Sequence, residues 1–205
     1  MNQRVIDVST LPRGTADSRA LLWWGNLGMM VIEGTMFMML IATFIYLRMK
    51  NLDWPPATVP MPDMLLPTVN LVLILLATLP ALLADRAALR DNVRGAQIGL
   101  ALCVVAGIAI LVIRAVNLAN LGFKWSDHAY GSIVWVTIGF HTFHTLSATC
   151  ETSLLLIYSL VRPIVKKQLL DIRCTAVYWY FVALMWIPFY FFVYVQPWMH
   201  RKGLP

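Results

Sequence analysis

Charge is scarce in this chain. Asp, Glu, Lys and Arg supply only 13% of its 205 residues. A soluble domain with a solvated surface carries about a quarter, so an ordinary water-soluble globule is excluded. Cysteine is nearly absent as well. Cys103, Cys150 and Cys174 fall in or beside apolar segments at no metal-like spacing, and they read as small buried hydrophobes. There is no glycine-rich phosphate loop, no nucleophile–base pair and no acidic metal cluster. The chain is therefore expected to have no catalytic residues, no metal site and no redox cofactor of its own. Also missing are internal repeats, low-complexity tracts and any polar segment long enough to fold separately.

Apolar sequence fills the remainder. Hydrophobic residues make up 60% of the chain, and the mean hydropathy is +0.71. Five stretches, residues 21–47, 66–84, 96–120, 131–160 and 176–198, each approach or exceed the roughly 20 residues that a helix needs to cross a bilayer. The expected fold is all-α: a polytopic membrane bundle of five transmembrane helices over residues 21–198, preceded by a polar segment, residues 1–20. That segment lacks the apolar core of a signal peptide, so the first span is expected to be retained. The connections are short. The prolines of residues 50–62 predict an extended, semi-rigid loop there, and Pro188 predicts a kink in the last span.

The formal net charge of +6 would suggest nucleic acid in a soluble protein. Here the basic residues cluster between apolar spans, so they report topology, and no nucleic-acid partner is expected. With the N-terminus inside, ten basic residues fall on the inner side: Arg4, Arg13, Arg19, Arg86, Arg90, Arg94, Arg162, Lys166, Lys167 and Arg173. Six fall outside: Arg48, Lys50, Arg114, Lys124, Arg201 and Lys202. The bias favours N-terminus in and C-terminus out. Arg114 lies close enough to the end of its span to snorkel. Trp23, Trp24, Trp54, Trp125, Tyr178, Trp179 and Trp198 lie near span ends, where amphipathic rings favour the interface.

Few residues could carry chemistry. Glu33 stands in the middle of the first span, where a carboxyl costs about 3 kcal/mol on insertion scales. It is either a protonatable or lipid-facing group, or a buried acid hydrogen-bonded to a neighbouring helix. His141 and His144 share one helical face, continued by Ser147 and Glu151. Such a polar stripe should point into protein. One histidine pair cannot complete a metal shell, so interhelical hydrogen bonding is the expected role.

Four motifs in order resemble subunit III of heme–copper oxidases, the cytochrome c oxidase family. They are Trp23-Trp24-Gly25 followed by Ile32-Glu33; Pro55-Pro56 leading to Pro67-Thr68-Val69-Asn70; Tyr130-Gly131-Ser132 leading to Gly139-Phe140-His141-Thr142-Phe143-His144; and Tyr178-Trp179-Tyr180-Phe181-Val182 leading to Trp186. The resemblance runs from about residue 20 to 198 and fits the short, five-helix form. The chain departs from the pattern at Tyr180, Ala183 and Thr142, where the family has histidine, aspartate and glycine, and at Glu151, where it is apolar. No acidic residue occurs in Val116-Asn117-Leu118-Ala119-Asn120, before the fourth span.

The resemblance implies a non-catalytic subunit of a complex that reduces dioxygen to water and pumps protons. Heme and copper would belong to partner subunits I and II, with subunit I the main contact. It further implies bound phospholipid and support of proton uptake, in a bacterial cytoplasmic (inner) membrane. On this reading Glu33 is the proton-related residue, and Arg19, Trp23, Trp24 and Glu33 hold lipid. Arg19 is placed for a lipid phosphate. An accessory protein of a quinol oxidase or nitric oxide reductase, a membrane scaffold, and a small proton-coupled transporter using Glu33, His144 and Glu151 remain alternatives. The lack of inverted-repeat symmetry counts against the transporter.

Overall fold

A computed structural model describes residues 21–61, 63–162 and 166–203, with side chains omitted at Lys166 and Lys167. Arg19 lies outside these residues. Every regular element among them is helical: α1 (Leu21–Lys50), α2 (Leu65–Leu76), α3 (Thr78–Leu89), α4 (Val93–Ala119), α5 (Ala129–Val161), α6 (Lys166–Tyr190), a π-helical turn (Phe191–Val195) and α7 (Gln196–Arg201). Helix is the only way to satisfy backbone groups in a long apolar segment that is not part of a closed barrel.

These elements form five columns. Four contain stretches long and apolar enough to cross a membrane: Leu21–Lys50, Leu65–Leu89, Val93–Ala119 and Gln168–Arg201. The fifth, α5, has 33 residues but is less apolar, because its buried face carries His141, His144, Thr145, Thr149 and Thr152. The chain is thus an integral membrane protein with a polytopic helical bundle.

Local chemistry sets the boundaries. α2 and α3 are one column interrupted at Ala77; Pro80 lies just beyond and has no N–H to give to the preceding turn. The turn into α4 places Asp91 at φ 52°, and Asn92 then caps α4 by accepting from the Gly95 amide at 3.0 Å. His128 caps α5 in the same manner, its Nδ1 accepting from the Gly131 amide at 2.7 Å. Pro188 sits inside α6. The helix continues past it and widens to π geometry at Phe191–Val195, just before Pro197. One end of the bundle carries α7, residues 51–64 and the α4–α5 loop, and is called the α7 end below. The other carries the α3–α4 turn and the starts of α1 and α6.

Two kinds of packing hold the columns. Between α3 and α4 the seam is made of small residues: Ala84, Ala87, Ala88, Ala96 and Gly99. A Cβ on Gly99 would lie 2.6 Å from the Ala84 backbone nitrogen. Between α4 and α5, a Cβ on Gly107 would collide with Thr149 Oγ1. Small side chains let apolar helices approach closely, the main source of association where lipid competes with any larger apolar surface. α1 packs differently. Only Met30, Phe37 and Phe44, seven residues apart, are buried, while Met29, Val31, Ile32, Met36, Met38 and Met39 are exposed.

Residues 51–61 fold onto the α7 end instead of extending freely. Trp54 and Val59 are buried, and Trp54 packs edge-on against Phe44 and Tyr130. Arg201 Nη2 donates to the carbonyls of Pro56 and Val59 at 2.9 and 2.7 Å. Trp54 therefore does not sit at the lipid interface, and neither do Tyr178 and Trp179, 4% and 2% exposed. They face neighbouring helices, whereas Trp24 and Trp125 do lie on the surface.

Candidate functional site

Glu33 and the histidine face meet where α1 crosses α5 and α6. Glu33 occupies the helical turn between Met30 and Phe37, the two residues that bury this part of α1. That periodicity turns its carboxyl partly inward. Glu33 Oε2 lies 3.8 Å from His144 Nε2, and the two side chains are 19% and 7% exposed. Oε2 is buried and makes no hydrogen bond among the described residues. The Tyr178 phenol of α6 faces the same carboxyl.

The histidine geometry constrains where protons can sit. His144 Nδ1 lies 2.7 Å from the Phe140 carbonyl. A carbonyl only accepts, so Nδ1 carries hydrogen and, in the neutral ring, Nε2 is an acceptor. That atom faces Glu33. The pair can place one proton on Nε2, on the carboxyl or between them, and a short side-chain movement would bring 3.8 Å to hydrogen-bond distance.

His141 is fixed in another role. Its Nε2 donates to the Val182 carbonyl of α6 at 3.0 Å. Thr145 Oγ1 donates to the His141 carbonyl at 3.0 Å and lies 3.4 Å from Nδ1. The Val182 bond links α5 to α6 across a buried interface. Phe37, fully buried, touches Phe140, His144, Phe181 and Phe189 and separates His141 from the lipid-facing side.

The rest of the expected polar face divides. Ser147 hydroxyl returns to its own helix, donating to the Phe143 carbonyl at 3.0 Å. Glu151 is exposed, yet its Oε1 accepts from Thr175 of α6 at 2.7 Å. Between them the buried stripe runs through Thr145, Ala148 and Thr152, with Trp179 Nε1 donating to Thr152 Oγ1 at 2.9 Å. Sequence reasoning gives no signal for Thr152 or Thr175 and takes Tyr178 for an interface ring, not a neighbour of Glu33. Their spacing from Glu151, Glu33 and the histidines along α5 and α6 becomes meaningful only when the helices are side by side.

At the start of α1, Trp23 is half-buried with the Arg173 guanidinium 5.3 Å from its ring centroid. Arg173 Nε also pairs with Asp85 at 3.1 Å, and Asn26 Nδ2 donates to the Cys174 carbonyl at 3.1 Å. Trp24 is 63% exposed. Beside Glu33, two shallow apolar hollows flank α1. One, of about 520 Å³, is lined by Val31, Gly34, Thr35, Met38, Met39 and Ala42. The other, of about 380 Å³, is lined by Thr35, Met36, Met39, Leu40, Thr43 and Phe140.

Arg114 departs most from expectation. It does not snorkel: it is 1% exposed and belongs to the buried stripe Cys103, Gly107, Ile110, Arg114, Asn117 of α4. That spacing of four, three, four and three residues was the signal in the sequence. Nearness to the span end hid it. Among the described residues, no group of three or more His, Cys, Asp or Glu comes together as a metal site.

Comparison with known proteins supplies the context. A sequence model of cytochrome c oxidase subunit III matches residues 13–199. The chain is 25% identical to cytochrome c oxidase subunit 3 of Myxine glutinosa over 142 residues, 69% of this chain and 54% of that protein. It thus spans about half the length of that relative. It is also 25% identical to the Spodoptera frugiperda protein of the same name, over 69% of this chain and 97% of that sequence. With the Anopheles quadrimaculatus protein it shares 24% identity over 179 residues, 84% of this chain and 68% of the relative. The helical bundle, the motifs that meet at Glu33 and His144, and the match over nearly the whole chain lead to one conclusion: this chain belongs to the cytochrome c oxidase subunit III family.

Proposed function

We propose that the chain is the non-catalytic third subunit of a respiratory oxidase that reduces dioxygen to water and pumps protons. Its task is to stabilise the catalytic subunit, hold phospholipid and support proton uptake. Five helical columns cross the membrane, over the spans read from the sequence, with the N-terminus inside. The membrane is a bacterial cytoplasmic one. Subunit I covers part of the bundle, and subunit II and the redox groups lie beyond it.

One observation carries the proton-related part: the 3.8 Å approach of Glu33 Oε2 to His144 Nε2, with Oε2 buried and without a hydrogen bond. An acid and a base that share one site, and can exchange a proton by a small movement, form a local proton store. The flanking hollows beside α1 are lined mainly by apolar side chains, the surface that acyl chains favour. Trp23 and Arg173 at the start of α1 and α6 offer an aromatic and a cation at headgroup level. Arg19 would add a second cation there.

Gentle-detergent purification of the tagged chain, followed by mass spectrometry and a visible spectrum, tests the assignment. Co-purification with a large heme-bearing subunit is the expected result. A colourless chain alone or as a homo-oligomer would reject it and favour the transporter. Within an intact complex, Glu33→Gln should preserve assembly and shorten activity during sustained turnover. Unchanged oxygen consumption and unchanged turnover-dependent inactivation would remove Glu33 from the mechanism.

A further inference from the structure

Glu151 is a second carboxyl within a helical column, and it faces away from the bundle. The residue is exposed. Its Oε1 accepts from Thr175 of α6 at 2.7 Å, and Oε2 has no hydrogen-bond donor among the described residues. The ion pairs among those residues, Glu33–His144 and Arg173–Asp85, leave Glu151 out. The contact with Thr175 fixes its depth. Thr175 lies seven residues past the start of the apolar stretch Gln168–Arg201, about 10 Å along the axis. Glu151 itself lies ten residues before the end of α5 at Val161, about 15 Å.

No cation among the described side chains reaches it. α5 contains no lysine or arginine. Arg162, just beyond its end, is eleven residues from Glu151, about 16 Å along the axis. Arg173 stands two residues before Thr175, but its guanidinium is held by Asp85 and the Trp23 ring. Asp171, one turn before Thr175, is another acid. His144, two turns before Glu151, faces Glu33. The Ser147 hydroxyl, one turn before Glu151, donates to the Phe143 carbonyl.

A carboxyl at such depth almost always faces protein, so an outward one calls for a second protein. The surrounding surface suits a helix. Phe143, Ser147, Cys150, Leu154 and Tyr158, spaced four, three, four and four residues apart, make one outward stripe with Glu151 along its edge. Ser147 and Cys150 are small and let another backbone come close. A second copy of this chain does not complement the stripe, because its own α5 brings another carboxyl and no lysine or arginine. Acyl chains bring neither charge nor donors.

We propose that this stripe docks a transmembrane helix of a partner subunit, which presents a lysine or arginine to Glu151 Oε2. Thr175 holds the other carboxyl oxygen and so aims the charge outward. The inference rests on the reading of this chain as one subunit of a membrane complex, and it names one contact within that complex.

The test uses the intact complex in its native membrane, with Leu154 replaced by photoreactive benzoylphenylalanine. Leu154 is exposed, so the probe leaves the bundle and Glu151 in place. Irradiation should yield a protein adduct, and peptide mapping should put it on a hydrophobic helix within about two turns of a lysine or arginine. In a second preparation, Glu151→Gln keeps an oxygen for Thr175 and removes the charge. Partner recovered after detergent washing should then fall about tenfold, the loss of one charge-assisted contact. Glu151→Lys should abolish recovery, and changing the mapped basic residue of the partner to glutamate should restore it. Adducts with lipid only, or with a second copy of this chain, would overturn the proposal. So would a mapped helix with no basic residue near the adduct, or unchanged recovery in Glu151→Gln. The visible spectrum of the same sample keeps the two readings apart. A protein adduct in a complex without heme would retain this contact and reject the oxidase, whereas lipid-only adducts in a heme-bearing complex would do the reverse.

Discussion

Glu33 and Arg114 are both ionisable residues inside apolar spans, and the bundle treats them in opposite ways. Glu33 lies on the peripheral helix, 19% exposed at its side chain, beside shallow apolar hollows. Its neighbour His144 presents Nε2 at 3.8 Å, across a gap that a small side-chain movement can close. Arg114 lies on the buried stripe of α4, 1% exposed, against Asn70 and the Trp186 ring. Guanidinium does not lose its proton in proteins, so this site keeps its charge whatever happens nearby. The difference teaches that a membrane-embedded charge takes its role from the packing around it. At the edge of the bundle it stays partly exposed, and at the centre it is sealed against fixed partners.

The largest expected contrast comes from truncating the sealed site. Arg114→Ala removes the Trp186 contact, orphans Asn70 Oδ1 and leaves a cavity. It should lower stability by about 3 kcal/mol or prevent assembly, measured by thermal unfolding in detergent. A loss below about 1 kcal/mol would show that the core does not depend on the cation.

Packing density gives the next contrast. Gly99→Ala puts a methyl group 2.6 Å from the Ala84 backbone nitrogen, where only backbone movement relieves it, and should cost about 1–3 kcal/mol. Gly34→Ala on α1 meets Phe181 at an ordinary 3.7 Å and should be neutral. Equal costs for the two would mean that α1 is as tightly held as α3 and α4.

Smaller effects separate the histidines. His141→Phe loses the Val182 bond and should cost about 0.6–1 kcal/mol in stability, with no specific change in proton-linked turnover. Smallest in stability is Glu33→Gln, expected to shift unfolding by less than about 0.5 kcal/mol while altering behaviour under turnover. A large stability loss with unchanged turnover would reverse the assignment of edge and centre.

Much of this was legible in the chain. Glu33, His141 and His144 stood out because polar groups are rare in apolar sequence, but that Glu33 meets His144 while His141 bonds Val182 depended on the helix packing. Trp54, Tyr178 and Trp179 were misplaced at the interface, since proximity to a span end does not say whether a ring faces lipid or protein. Arg114 was misplaced for the same reason. Thr175 and Tyr178 could not be paired with Glu151 and Glu33 before the lateral order of α1, α5 and α6 was known.

The sequence by itself determined the class of molecule and the position of nearly every helix. Hydropathy over about 20 residues and the obligation to satisfy backbone groups without water are local properties, readable one segment at a time. The tertiary structure alone decided which charged side chain is sealed and which is left beside lipid. Solvation at one helical position depends on side chains contributed by distant helices: Trp186 lies 72 residues from Arg114, and His144 lies 111 from Glu33.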